Sequence, residues 1–371
     1  MKRGAPIPLA RPAVGDGELA AVERALLSGR LVLGPENQRF EEALAEACGR
    51  RHAVAVSSGT TALELALWVL DIGPGDEVVV PAFGFLAAAN AVRARGAVAV
   101  PADVDAAGWN LDPASLASAL SPKTRAVVSI DQFGLVAESA ELLRHAGQIP
   151  VIDDAACGLG GTDSAAVVGG GYGRLATLSF HPRKVITTGE GGAVLCDDDG
   201  LADELRQLRN HGQTGRGVFA RVGTNARLSE MAAAVGRAQL ARLEGMLAER
   251  RMLAEGFRKR LAPLERADRL STQKVVIGAV HAYQTFAVRL AADLDRDAVC
   301  AAMAERGIEC GPATYAFHRV GSFAGTPSVS LANSDALHDR GLALPLYIGM
   351  RSSELDRVVA ELSDVLAEVR S

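Results

Sequence analysis

The stretch SFHPRKVITTGEGGAVL, residues 179–195, places a lysine, Lys184, in a loop between two apolar runs. The flanking runs LATLSF (175–180) and GAVLC (192–196) are short and apolar throughout, as in strands buried on both faces of a sheet. The glycines of TTGEGG predict a tight turn where backbone can approach a ligand, although a plain hairpin turn fits the same pattern. Because only five of the 39 Lys+Arg residues are lysines, Lys184 is a candidate for chemistry.

Similar apolar runs recur upstream and alternate with segments of helical spacing. The runs are AVAVS (53–57), EVVVP (77–81), AVAVPAD (97–103), RAVVSI (125–130) and PVIDD (150–154). The helix-like segments are 17–29, 36–49, 60–70, 85–95 and 138–147. Buried strands that alternate with helices predict an α/β fold, here a large domain with a roughly seven-stranded, mainly parallel sheet sandwiched by helices.

A change of pattern after residue 244 predicts a second domain. Residues 229–262 form one long amphipathic stretch, opened by Ser229 as a helix N-cap, which is expected to bridge the two domains. We therefore expect a large domain at 1–244, with an N-terminal arm, and a smaller C-terminal α+β domain at 245–371. The smaller domain contains a strand-like segment at 275–290 and helix-like segments at 294–306 and 352–370.

Composition argues against several classes of protein. The 371 residues have a net charge of -5 and no basic run, which speaks against a nucleic-acid partner. The first residues lack an apolar segment, and the longest uncharged stretch (78–92) is too short to span a bilayer, so we expect a cytoplasmic protein without a membrane partner. Five cysteines without a CxxC pair predict neither a disulfide scaffold nor a metal site.

Ligands of open parallel sheets bind beyond the carboxyl ends of the strands, so the residues that follow each strand are site candidates. After AVAV, Gly59 and Thr60 begin a helix whose free N–H groups could hold a phosphate, although an ordinary capped helix would look the same. After EVVV come Phe83 and Phe85, either of which could stack on a planar cofactor or simply fill the core.

The strand PVI ends in two adjacent carboxylates, Asp153 and Asp154. Because side chains alternate along a strand, one of them should face the ligand crevice and the other should face away. Taken alone, the pair could also be solvated turn residues. A lysine amine attacks carbonyls, and a carboxylate can keep a pyridine nitrogen protonated. Together with a phosphate cradle and an aromatic plate, these groups indicate pyridoxal phosphate.

Five blocks of the chain, in this order, resemble the DegT/DnrJ/EryC1/StrS family of sugar aminotransferases, which are fold-type I pyridoxal-phosphate enzymes. The resemblance runs from residue 7 nearly to the C-terminus and implies the same fold. The blocks are SSGTTALELAL, VVVPAFGFLAAAN, VIDDAA, SFHPRKVITTGEGG and GTNARLSEMAAAVGRAQL.

The resemblance assigns a role to each cofactor-binding position. It implies that Lys184 binds the cofactor covalently, that Asp154 partners the pyridine nitrogen and that Phe85 stacks on the ring. It also implies that the phosphate is held by Gly59, Thr60 and Ser179. Asn225 would reach the phosphate of the neighbouring subunit's cofactor, which implies an obligate homodimer with a shared active site.

Two departures from the family pattern bear on substrate choice. Cys157 stands near the expected ring hydroxyl, where many relatives have Gln, and a thiol is a weaker hydrogen-bond partner. Residues 131–134 read Asp-Gln-Phe-Gly, where many relatives have His-Leu-Tyr-Gly. Both positions are expected near the pocket.

Four further residues are substrate candidates. His181 could contact phosphate or substrate, or only support its loop. Tyr315 and His318 fall in a segment similar to the family's substrate-facing stretch. Arg227 could pair with a carboxylate of the donor or substrate across the dimer, or form a structural salt bridge at the interface.

The resemblance predicts an aminotransferase that moves an amino group from an amino acid, with L-glutamate as the expected donor, to the keto group of a nucleotide-linked deoxysugar. One alternative keeps the chemistry and changes the acceptor to a cyclitol ketone. A second is a pyridoxal-phosphate sugar dehydratase, for which the resemblance predicts histidine in place of Lys184. A third is a non-catalytic, cofactor-binding regulatory protein.

Overall fold

The computed structural model describes residues 5–323 and 329–369. The α-helices are α1 (Asp16–Leu27), α2 (Pro35–Ala47), α3 (Gly59–Val69), α4 (Ala87–Ala94), α5 (Pro113–Ala119), α6 (Ser139–Ala146), α7 (Asp199–Leu208), α8 (Glu230–Leu240), α9 (Leu243–Arg266), α10 (Arg296–Glu305), α11 (Ala332–Arg340) and α12 (Ser352–Glu368). The strands are β1 (His52–Val56), β2 (Glu77–Pro81), β3 (Phe83–Gly84), β4 (Val98–Ala102), β5 (Thr124–Ile130), β6 (Val151–Asp154), β7 (Leu175–Ser179), β8 (Gly192–Cys196), β9 (Gln213–Gly215), β10 (Val218–Phe219), β11 (Leu270–Thr272), β12 (Phe286–Leu290), β13 (Gly311–Pro312), β14 (Tyr315–Ala316) and β15 (Gly341–Leu344). Short 3₁₀ turns lie at Gln132–Gly134 and Phe317–Arg319.

The central sheet has seven strands in the order β1-β8-β7-β6-β5-β2-β4. β7, β6, β5, β2 and β4 run parallel to one another, whereas β8 pairs antiparallel with both β1 and β7. Every strand predicted for this sheet is present, so the prediction of a mainly parallel α/β fold is confirmed. The one reversed strand, β8, follows the lysine loop and pairs directly with β7.

Helices cover both faces of this sheet because both sets of alternating strand residues are apolar. Val78 and Val80 of β2 pack with side chains of α3, α4 and α7 on one face. Val79 packs with α5 and α6 on the other face, where α2 also covers Ala55 of β1. The five helices predicted before residue 150 are confirmed to within two residues at each end.

A second sheet, of four antiparallel strands, has the order β11-β12-β15-β13. Its core includes side chains of α9, α10 and α12, together with Ile7, whose backbone bridges to Ile308. The N-terminal segment therefore packs against this sheet, although the sequence assigned the arm to the large domain. The domain division at residues 244 and 245 stays a prediction.

Two local expectations for the C-terminal half are wrong. The stretch 229–262 is not one helix but two, α8 and α9, separated at Ala241 and Arg242, where the Arg242 guanidinium turns to a carboxylate oxygen of the buried Glu18. The strand expected at 275–290 begins only at Phe286. Side chains anchor the preceding residues as a loop, as in the contact between His281 Nε2 and Gln273 Oε1 at 2.9 Å.

Over the described ranges, 5–323 and 329–369, none of the helices combines the length and the apolar character that a membrane span requires.

Candidate active site

Polar and aromatic groups gather at the carboxyl edge of the central sheet because its register brings several strand ends together. Asp154 at the end of β6 lies opposite Ile130 at the end of β5 and opposite Thr177 of β7. The end of β3 lies against β5 so closely that a Cβ on Gly84 would come within 2.6 Å of the Ile130 side chain. The ends of β3, β5, β6 and β7 therefore line one crevice.

The start of α3 and the end of β7 form a cradle with free hydrogen-bond donors. Ser58 caps α3 and its hydroxyl accepts from the Thr61 N–H at 3.1 Å. Within the described part of the chain, no group accepts from the N–H of Gly59 or Thr60. A Cβ on Gly59 would approach Ser179 Oγ to 2.9 Å, so only glycine leaves this space open. Free N–H groups at a helix start beside a hydroxyl suit an anion.

Strand alternation sends the two adjacent carboxylates of β6 to opposite faces. Asp154 Oδ1 accepts from the Ala156 N–H at 3.2 Å and from Thr177 Oγ1 at 3.5 Å. Asp153 Oδ2 accepts from the Gly170 N–H at 2.8 Å on the other side. Sequence reasoning missed Thr177, although it stands two residues before Ser179 on the same face of β7 and the period of two could have revealed it.

Lys184 reaches the crevice beside Asp154. Its Nζ donates to Cys157 Sγ at 3.2 Å. Burial raises the pKa of Asp154 above its ordinary value, and the positive charge of Lys184 opposes that rise. Asp154 thus has a cation nearby that favours its ionised form, which is the form that could hold a proton on a pyridine nitrogen.

Backbone and hydroxyl contacts within the lysine loop give it a defined shape. The Lys184 N–H donates to the His181 carbonyl at 2.8 Å, and Thr187 Oγ1 donates to the Phe180 carbonyl at 2.9 Å. Gly189 has a φ of 82°, a conformation that glycine adopts without strain. The loop is therefore a structured turn that fixes where Lys184 begins.

The two phenylalanines after β2 have different environments. Phe83 is fully buried and packs edge-on against Phe133, whereas the side chain of Phe85 is 67% exposed at the crevice end of β3. Tyr315 of β14 pairs with Gly84, the residue before Phe85, and is 39% exposed. An exposed ring beside the strand ends is available to stack on a planar cofactor.

The two histidine candidates already have partners within the chain. His181 Nδ1 accepts from the Arg183 N–H at 3.2 Å, which supports the lysine loop and leaves Nε2 for a ligand. His318 is only 8% exposed, and its Nε2 lies 3.0 Å from Asp335 Oδ1. This places His318 away from an open surface, in contrast to Tyr315.

Asn225 and Arg227 lie on a segment beside β1. The Ser57 N–H donates to the carbonyl of Ala226, between them, at 3.0 Å. Asn225 is exposed, whereas Arg227 donates to Asn210 Oδ1 at 2.8 Å. Within one chain, then, Arg227 has a structural partner and Asn225 presents its amide to the outside.

Residues 131–134 lie close behind the crevice, and their side chains are buried. Asp131 is fully buried, and its Oδ1 accepts from the Ala137 N–H at 3.0 Å. Gln132 is also buried and donates from Nε2 to the Phe83 carbonyl at 3.0 Å. Their side chains act behind the site, where the sequence alone could not place them.

The residues of this crevice fit pyridoxal phosphate. They provide an open anion cradle, an exposed aromatic ring, a buried carboxylate and a lysine amine. No group of three His, Cys, Asp or Glu side chains placed to hold a metal occurs among residues 5–323 and 329–369.

Comparison with known proteins agrees with this geometry. The chain is 37% identical over 333 residues to the GDP-perosamine synthase of Caulobacter vibrioides, covering 88% of this chain and 89% of that protein. The structure of S. venezuelae DesV in complex with a ketimine intermediate superimposes with a TM-score of 0.90 at 32% identity, over 98% of this chain and 99% of that chain. The structure of 3-amino-5-hydroxybenzoic acid synthase gives a TM-score of 0.91 at 32% identity, over 99% of this chain and 100% of that chain.

The model of the DegT/DnrJ/EryC1/StrS aminotransferase family matches residues 12–363. The chain therefore belongs to the DegT/DnrJ/EryC1/StrS aminotransferase family, and its cofactor is pyridoxal phosphate.

Proposed function

We propose that this aminotransferase transfers an amino group from L-glutamate to the keto group of a nucleotide-linked deoxysugar. The observation that carries the chemistry is the position of Lys184, whose Nζ lies 3.2 Å from Cys157 Sγ and beside the buried Asp154. The 37% identity to a GDP-perosamine synthase supports a nucleotide sugar as acceptor.

Bound pyridoxal phosphate supplies a carbonyl that reacts with amines and a ring that withdraws electrons from the carbon next to the nitrogen. In our proposal, Lys184 Nζ anchors the cofactor at rest and, once displaced by the donor, moves the proton that leaves the donor's α-carbon. Asp154 holds the proton on the pyridine nitrogen. Gly59, Thr60 and Ser179 bind the phosphate, and Phe85 orients the ring.

The remaining candidates have narrower roles in this proposal. Cys157 Sγ holds Lys184 Nζ when the amine is free. Tyr315, which is partly exposed and pairs with Gly84 at the crevice end of β3, orients the acceptor. His181 and His318 support the loops on either side, since each already has a partner within the chain.

We propose further that the enzyme is a homodimer with shared sites. The exposed apolar side chains of Val218, Phe219 and Val222 lie just before Asn225, and large exposed apolar groups this close together favour a partner surface. A second copy covering them would bring Asn225 to the partner's cofactor phosphate and Arg227 within reach of a carboxylate there. The cytoplasmic location stays a prediction.

Mixed dimers test the shared site. Lys184→Ala and Asn225→Ala should each be inactive alone, whereas a mixture refolded together should regain activity, because one of the two sites in a mixed dimer receives both intact residues. If Asn225 serves its own chain's site, every site in the mixture carries a lesion and no activity returns. Sedimentation of the wild type checks the dimer itself.

The chemistry is tested with the purified enzyme and pyridoxal phosphate. Borohydride reduction and peptide mapping should locate the cofactor on Lys184, and L-glutamate should be converted to 2-oxoglutarate in a single turnover without an acceptor. Lys184→Ala should lose both properties, while the exposed control Lys274→Ala should keep them. Failure of the wild type to release 2-oxoglutarate would point to another donor, a dehydratase reaction or a regulatory protein.

The acceptor is tested by adding GDP-linked keto sugars, other nucleotide keto sugars or inososes to enzyme already converted by L-glutamate. Return of the cofactor to its starting spectrum with a nucleotide sugar alone supports the proposal. Return only with an inosose would instead establish the cyclitol ketone as acceptor.

A further inference from the structure

Three carboxyl groups lie together beneath the active-site crevice. Asp131 and Asp153 have no exposed surface, and Asp154 is only 7% exposed. The proposed chemistry uses Asp154 alone. The other two form a buried acidic layer behind it, and burying several charges of one sign is costly unless protons or cations neutralise them.

Asp131 is tied to both the strand and the loop that define the site. Its backbone N–H donates to the Asp154 carbonyl at 3.1 Å, and its Oδ1 accepts from the Ala137 N–H at 3.0 Å. Its Oδ2, however, has no hydrogen-bond partner within the described residues. An ionised carboxylate has only acceptor oxygens, so an unpaired buried oxygen is unfavourable in that form.

The unpaired oxygen lies against the turn that carries Cys157. A Cβ on Gly158 would come within 2.0 Å of Asp131 Oδ2, and one on Gly169 would come within 3.0 Å. The turn closes with the Gly158 N–H donating to the Ala155 carbonyl at 2.9 Å. Glycine at 158 is therefore required for Asp131 to pack directly beneath the Asp154–Gly158 segment.

The cations around this layer are engaged elsewhere. Arg50 donates to the Gly173 carbonyl and pairs with Asp197, and Lys184 lies beside Asp154 and Cys157. None of the described cations makes an ion pair with Asp131.

Among the residues that the structure describes, the neighbouring side chains of Asp131 include no positive charge that could neutralise an ionised Asp131 carboxylate. Asp153 also has an unpaired oxygen, Oδ1. The hydroxyl of Tyr172, beside Asp153, donates to Ser129 Oγ at 3.0 Å. Cys48 and Cys157 are the remaining titratable groups that face the layer. Burial and then the charge of Asp153 raise the pKa of Asp131 well above its ordinary value.

We propose that Asp131 is a positioning residue that works as an uncharged carboxylic acid and holds the segment carrying Asp154 and Cys157 in place. In this form Oδ1 still accepts from the Ala137 N–H at 3.0 Å, and the proton on Oδ2 removes a buried negative charge that no cation among the described residues neutralises. The same proton leaves Asp154 as the anion that faces the cofactor, because a second negative charge directly behind it is removed. The inference depends on cofactor binding and not on which ketone is aminated.

Asp131→Asn keeps an uncharged hydrogen-bonding group at this position, whereas Asp131→Ala removes it. Asparagine keeps an acceptor for Ala137 and supplies N–H donors in place of the proton, so pyridoxal-phosphate affinity should stay within about twofold of wild type. Alanine leaves the Ala137 N–H unpaired and a gap beneath the turn, so affinity should fall about tenfold or more. Fluorescence titration at neutral pH measures both constants.

Infrared spectroscopy of the wild type tests the proton directly. The carbonyl stretch of a protonated carboxyl should be present in the wild type and in Asp153→Asn, and should be reduced in Asp131→Asn. These spectra need no cofactor and no activity.

Three results would overturn the proposal. They are absence of the Asp131 band, Asp131→Asn binding the cofactor as weakly as Asp131→Ala, or equal binding by all three proteins. If Asp131→Ala does not fold, the affinity of Asp131→Asn relative to wild type and the infrared band still decide the question.

Discussion

Asp153 is the buried carboxyl group whose replacement should change the pH dependence of stability most clearly. Burial raises its pKa from the ordinary 3.8 to about 8. Over this pH range the folded protein keeps a proton that the unfolded chain has already released. The contribution of Asp153 to the free energy of unfolding is therefore complete below about pH 4. It falls as the pH rises towards 8, by at most about 1.36 kcal/mol for each pH unit.

Asp153→Asn removes this dependence while keeping the local hydrogen bond. The amide oxygen of asparagine can accept from the Gly170 N–H as the carboxylate oxygen does at 2.8 Å. Between pH 5 and pH 7 the stability of the variant relative to wild type should rise, by at most about 3 kcal/mol, because each pH unit contributes no more than about 1.36 kcal/mol. Any constant effect of the substitution cancels in this difference.

Urea unfolding followed by circular dichroism measures the effect, with both proteins free of cofactor and at one protein concentration. Asp198→Asn is the matched control. Asp198 is partly exposed, and its hydrogen bond from the Leu201 N–H lowers its pKa below 3.8. Its contribution to stability is therefore complete at pH 5 and is lost only in stronger acid. The Asp198→Asn difference should stay flat. An Asp153→Asn difference that is equally flat would refute the reasoning.

Three further outcomes follow from the packing of single residues. Gly59→Ala should weaken pyridoxal-phosphate binding about tenfold or more, because the added Cβ overpacks the cradle. In the control Gly17→Ala, no atom lies within 4 Å of the added Cβ, so the affinity should not change. Equal affinities of the two variants in fluorescence titration would contradict this. Phe85→Ala should weaken cofactor binding but change the free energy of unfolding by about 0.5 kcal/mol or less, because Phe85 is exposed. Phe83 is buried, so Phe83→Ala should lower the free energy of unfolding by about 3–5 kcal/mol in urea. Similar losses of stability in the two variants would contradict this prediction. Glu230→Ala should lower the free energy of unfolding by about 3 kcal/mol, because the Glu230 carboxylate accepts hydrogen bonds from three backbone N–H groups at the start of α2. Glu230→Gln should lower it by less, because the amide oxygen can still accept. Equal losses in urea unfolding would contradict the role assigned to the charge.

Much of the fold could be predicted from the sequence because its signals are local. An apolar run of five or six residues between turn residues specifies a buried strand wherever it lies, and the strands of the central sheet followed that rule. The lysine loop, the two carboxylates of β6 and the start of α3 could be placed at strand ends for the same reason. The single helix expected at 229–262 was wrong: the chain breaks at Ala241 and Arg242, where Arg242 pairs with Glu18, a residue more than two hundred positions away.

By itself, the sequence determined which chemical groups the site contains and that the strand ends bring them to one edge, because strand periodicity and the spacing of turn residues are properties of the local chain. Strand periodicity alone left open which of two neighbouring groups faces the crevice. The family resemblance implied Phe85 and Asp154, and the tertiary structure gives the physical basis, because Phe83 is buried and Asp153 accepts from the Gly170 N–H on the other side. Only the tertiary structure buried Asp131 behind the site, which its position near the predicted pocket did not reveal. Burial and hydrogen-bond partners are set by contacts between residues distant in the chain, and these contacts exist only once the sheet has formed.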